Sequence, residues 1–124
     1  MPEQFNRHTA LLGNIFTHFR MFRMRDWNRS RKWTADEIED LLYAEDWDLC
    51  LKIAEVTDFE HIIKPLYCYR IRSGSITTST NFNFKFNQTK KMLLNWIKYL
   101  HLPFSDIVGV DDSNPHAIGY IRQD

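Results

Sequence analysis

Three carboxylates fall within four residues, Glu45-Asp46-Trp47-Asp48, where a loop gives way to a helix. A carboxylate at a helix start is rigidly placed, and one that faces a cleft can act as a general base. The same residues can instead serve the helix, with Asp46 as N-cap and Asp48 in the first turn, both favoured by the helix dipole. The string also contains Asp-x-Asp. On a helix, residues two apart diverge by roughly 200° and do not converge on one ion. No metal ligand is assigned to this chain.

A second group is basic and aromatic: Arg20, Arg23, Arg25, Trp27, Arg29, Arg31, Lys32 and Trp33. Such a stretch can bind phosphates or an anionic sugar chain, with tryptophan faces for stacking. It can equally be a solvated loop that partners acidic helices. Third is Tyr69-Arg70-Ile71-Arg72-Ser73-Gly74-Ser75. As a strand it places Arg70 and Arg72 on one face, either as a charged soluble edge or as an arginine pair that reaches a diphosphate. The five histidines (8, 18, 61, 101 and 116) are scattered with no ligand spacing. Cys50 and Cys68 are too few for a disulfide scaffold, and both thiols are expected to be buried and inert.

These residues need elements to hold them. Residues 3–12 read as a short helix stopped at Gly13-Asn14. Residues 15–23 read as a strand, from their aromatic and β-branched content. Residues 24–33 read as a basic loop. Thr34 and Glu37 form a capping box that opens a helix over 35–43. A second helix spans 46–56, with Trp47, Cys50, Leu51 and Ala54 as its core stripe. Strands are expected at 59–63 and 66–72, either side of Lys64-Pro65. A third helix covers about 85–100, with Phe86, Leu93, Trp96, Ile97 and Leu100 inward and Pro103 beyond its end. The tail 104–124 holds a turn at "VDDSNPH" and then a strand at "AIGYIR".

At 124 residues the chain fits one α+β domain, without repeats or a linker. Apolar residues at 44% and charged residues at 26% exclude disorder and a coiled-coil rod. No apolar run approaches the roughly 20 residues of a membrane helix. The N-terminus is too polar for a signal peptide, so a cytoplasmic location is expected. Net charge is zero but blocked: +5 over 1–33, −9 over 34–60 and +4 over 61–124. A zero total argues against a nucleic-acid binder. The blocks suggest an acidic segment seated among basic ones.

In order and spacing, "HFRMFR" (18–23), "AEDWDLCLKIAEV" (44–56) and "FEHIIKPLYCYRIRSGSIT" (59–77) resemble the C-terminal, acceptor-side half of family 2 glycosyltransferases of the GT-A type. "HFRMF" is similar to the chondroitin and hyaluronan polymerase type. The resemblance covers about residues 11–78. It implies that Asp46 is the general base that takes a proton from the acceptor hydroxyl. Glu45 and Asp48 would shape the acceptor pocket. His18, Arg20 and Arg23 would lie beside the site, and Arg70 would match the arginine after the aromatic pair. Arg72 stands where many relatives place a metal-linked histidine, and an arginine cannot ligate a cation. The N-terminal half of that family, with its nucleotide pocket and metal pair, has no counterpart here. The expectation is therefore a partial domain that transfers no sugar by itself and needs no cofactor. A nucleotide-sugar donor and Mn or Mg would enter only with the other half. The expected partner is a glycan or sugar acceptor. An uncovered apolar face would favour a homodimer, or a tail from 104 onward folded over it. The alternative is a non-catalytic carbohydrate-binding or protein-interaction module.

Overall fold

The computed structural model describes residues 5–16, 19–68, 70–71 and 81–123. In chain order the elements are α1 (Arg7–Leu12), α2 (Met24–Arg29), α3 (Glu45–Ala54), α4 (Phe82–Leu100), β1 (Phe104–Gly109) and β2 (Ile118–Arg122). The expected calls at His18, Tyr69 and Arg72, and the 72–80 loop, lie outside the described residues.

Each long helix has an identifiable start or stop. Asn81 caps α4 by accepting the Phe84 N–H at 2.8 Å, so α4 begins at Phe82, a turn earlier than the apolar spacing suggested. It ends on His101 in the left-handed region (φ 54). There the Leu102 N–H returns to the Ile97 carbonyl and the His101 N–H to Lys98, a Schellman closure made without glycine. Helix α3 opens from Ala44, also left-handed at φ 66, and the Asp48 N–H closes the first turn on the Ala44 carbonyl. Ala44 therefore holds the N-cap position that the sequence suggested for Asp46. Glu45, Asp46 and Asp48 all lie in the first turn, where the dipole favours acids.

Several expected elements are absent. The helix expected over 35–43 is one turn at 35–37. The Glu37 side chain does reach the Thr34 N–H at 3.1 Å. The chain then leaves helical geometry, and the Leu42 N–H goes to Gln88 Oε1 at 2.8 Å rather than to a carbonyl in its own segment. The described residues of 15–23 form no strand, because Phe19 turns left-handed (φ 61) between buried Phe16 and half-buried Arg20. Over 59–63 the expected strand is reduced to a single bridge residue, Glu60, and the described residues of 66–71 form none. Bonds from Lys64 N–H to Ile62 and from Leu66 N–H to Lys64 close two tight three-residue turns around Pro65, which use the groups a ladder needs. The basic loop 24–33 contains α2.

Among the described residues the one sheet is the antiparallel hairpin β1–β2, in register Ile107↔Tyr120, with an irregularity between Phe104 and Asp106. The tail is thus ordered structure. Ile107 is buried, Lys90 on α4 pairs with Asp106 at 3.0 Å, and the Tyr120 hydroxyl donates to the Leu11 carbonyl.

The core joins α1, α3, α4 and the hairpin through Ala10, Phe16, Trp47, Leu51, Met92, Leu93, Trp96, Ile97 and Ile107. The α3 stripe Trp47, Cys50, Leu51 and Ala54 is buried throughout. On α4 the buried face is Lys85, Thr89, Met92, Leu93, Trp96 and Ile97, a regular i, i+4, i+7, i+8, i+11, i+12 pattern. Leu100, expected inside, is exposed where the helix runs past the core.

Candidate functional site

Helix α3 presents its acids in two directions. Asp48 turns inward with its side chain 5% exposed. Its Oδ1 accepts the indole N–H groups of Trp96 at 2.7 Å and Trp33 at 3.1 Å, and Oδ2 pairs with Lys52 at 3.0 Å. The carboxylate ties three segments together around one charge. Two of those donors are rigid aromatic N–H groups, which satisfies a buried anion that would otherwise be costly.

Asp46 turns the other way and keeps 45% of its side chain exposed. Its Oδ2 pairs with Arg20 at 3.1 Å, and Oδ1 accepts the Trp47 N–H at 2.8 Å. Arg20 is itself fixed, since the same Nη2 donates to the Phe16 carbonyl at 3.0 Å. The arrangement places a held, half-exposed carboxylate at the start of a helix anchored by Trp47. That indole is fully buried and donates to the Ala10 carbonyl at 2.8 Å.

Glu45, Asp48 and Lys52 share a side of α3 and line a cleft of about 750 Å³ with Trp27, Lys32 and Trp33. Lys32 Nζ sits 3.7 Å from the centre of the Trp27 ring and also bonds the Trp27 carbonyl. Arg31 lies over Tyr99 at 3.8 Å and pairs with Glu37 at 3.4 Å. Much of the basic stretch therefore packs on aromatic faces and neighbouring acids. Arg23 precedes α2 and is exposed, as is Arg70. Among the described residues the structure joins Arg20 to Asp46 and puts Glu45 with Asp48 on the cleft.

Two features were missed. His116 has no ligand spacing in the sequence, yet Nε2 lies 2.7 Å from the Tyr43 hydroxyl, and the ring stacks on Tyr43 and meets Trp47 edge-on. Burial, opposed by the Asp46 charge and aided by Lys85, lowers its pKa. No sequence spacing links residue 116 to 43 and 47; only the hairpin brings them together. Second, the thiols differ. Cys50 is buried and burial pushes it up to about 11, whereas Cys68 is exposed, against the expectation that both are inside.

Among the described residues no three of His, Cys, Asp or Glu converge to hold a metal ion, and no helix is long and apolar enough to cross a membrane. No protein-family model matches the chain, and no solved structure matches it. Over 81 residues, 64% of its length, the chain is 35% identical to chondroitin synthase of Pasteurella multocida (strain Pm70). Over 75 residues, 60% of its length, it is 36% identical to chondroitin synthase of Escherichia coli. The matched stretches are 8% and 10% of those relatives. The chain thus carries a glycosyltransferase-related region that corresponds to a small part of much longer enzymes.

Proposed function

We propose that this chain is an acceptor-side part of a family 2, GT-A-type glycosyltransferase, and that Asp46 is its general base. The reading rests on the similarity to chondroitin synthases, with Asp46 as a held but open carboxylate beside Arg20. In the proposed reaction Asp46 accepts the proton of a sugar hydroxyl as that oxygen bonds to the anomeric carbon of a nucleotide sugar. The bond from that carbon to the nucleoside diphosphate breaks. Arg20 fixes Oδ2, which leaves the carboxylate oriented without a search. A base so placed contributes roughly 10²–10⁴ in rate. The nucleotide-sugar donor and any divalent ion would be held by a nucleotide-binding half that is not among this chain's described residues.

A second reading draws on the cleft lined by Trp27, Trp33 and Glu45: indole edges and carboxylates are the chemistry that holds a sugar ring without reacting with it. NMR titration of the chain separates the two. With a chondroitin oligosaccharide, the first reading expects amide shifts at Arg20, Asp46 and Trp47, lost in Asp46→Asn. Shifts confined to the cleft residues Trp27, Trp33, Glu45 and Lys52, unchanged in that variant, would support the second. Uridine diphosphate with manganese should give little or no shift under either.

A further inference from the structure

We propose that His116 is an acid-sensitive clamp. As a neutral ring it fastens the hairpin loop 110–117 to the start of α3, and on protonation it releases that loop. This is independent of any transferase activity and rests on how the loop is docked.

The loop is built to present this ring. Val110 N–H bonds the Ala117 carbonyl, Ala117 N–H bonds Asn114, and the Asn114 side chain accepts the His116 N–H at 2.9 Å. The ring then enters an aromatic slot. It stacks on Tyr43 with centroids 5.4 Å apart, meets Trp47 at 5.9 Å, and holds the Tyr43 hydroxyl through Nε2. Its other nitrogen, Nδ1, is buried and has no hydrogen-bond partner among the described residues. A neutral imidazole leaves one such nitrogen as a weak acceptor. An imidazolium puts an N–H and a charge there, and neither is satisfied.

From α3, Asp46 favours the imidazolium; from α4, Lys85 opposes it; Tyr43 and Trp47 are uncharged. In the loop, Asp111 is engaged by Ser113. Burial outweighs the Asp46 attraction, so the docked ring holds its proton less readily than a free histidine. The sign follows. Docking is complete above the free-histidine value near 6.5 and weakens as pH falls below it toward the docked ring's lower value.

The test is an NMR titration of the whole chain between about pH 7.5 and pH 5, above most carboxylate titrations. His116 ring signals, the 110–117 amides and the Trp47 indole N–H are followed together. The clamp predicts that the three move as one transition with its midpoint below the free-histidine value near 6.5, and that loop amide protection falls several-fold at the acid end after correction for intrinsic exchange. In His116→Phe, which stays stacked but cannot titrate, loop protection should be flat over this range. A His116 midpoint at or above the free-histidine value near 6.5, or a loop still docked at pH 5, would overturn the proposal in the unmodified protein, whatever the variant does. An acid-induced opening that persists in His116→Phe would overturn it as well.

Discussion

At the scale of single residues, Asp46 and Asp48 are two positions apart and do different work. Asp48 accepts the Trp33 and Trp96 indole N–H groups and pairs with Lys52. Asp48→Ala should therefore cost about 3–5 kcal/mol, since it leaves a buried ammonium and two N–H groups unmatched. Chemical denaturation measures it directly. Asp46→Asn removes one half-exposed ion pair and should cost less than about 1 kcal/mol. The thiols give a third expectation. Burial raises Cys50 from 9.0 to about 11, so the folded state keeps a proton that the unfolded chain has lost. That stability is complete below pH 9 and is lost as pH rises toward 11, about 3 kcal/mol in all. The slope between pH 8 and pH 10.5 should be flatter in Cys50→Ala than in the parent. Native alkylation should label Cys68 and spare Cys50. The acidic cluster was legible as a cluster, because three acids at a helix start are visible in any sequence. Which acid faces inward was not, because that depends on two tryptophans 15 and 48 residues away.

At the scale of elements, local signals were readable where packing agreed with them. The α3 stripe and most of the inner face of α4 follow from 3.6-residue spacing. The Thr34–Glu37 capping contact forms, but a short helix gains little from a cap alone, and Gln88 takes the Leu42 N–H instead. The aromatic content of 15–23 suggested a strand. Those rings pack without one: Phe16 meets Phe5 and Phe59, and Phe59 meets Phe5. A strand needs a partner, and a run of suitable side chains does not supply it. The hairpin shows the converse, since β1 carries no marked alternation, yet Ile107 is buried against the core. Ile107→Ala should cost about 2–5 kcal/mol and loosen the hairpin as a unit. Hydrogen exchange across 104–122 would show uniform loss of protection. Loss confined to β1 would mean that the two strands are held separately.

At the scale of the whole molecule, the blocked charges become contacts. The acidic segment 34–60 is tied to the basic flanks by Arg7–Asp58, Arg20–Asp46, Arg31–Glu37 and Lys91–Glu39. Exposed pairs of this kind contribute little each, and they seat the segment more than they stabilise it. Phe19, Met21, Met24, Ile62, Ile63 and Ile71 remain exposed, although the ordered tail packs on α1 and α4. The direct test of the account uses a chondroitin synthase as host. The matched stretch of the Escherichia coli enzyme is replaced by its counterpart from this chain, with and without Asp46→Asn, and sugar transfer is measured beside nucleotide-sugar binding and a melting curve. The account predicts transfer by the unmodified chimera. In the Asp46→Asn chimera it predicts a fall of about 10²–10⁴-fold, with donor binding and melting temperature nearly unchanged. Equal transfer by both chimeras would contradict it and leave Asp46 as Arg20's partner alone.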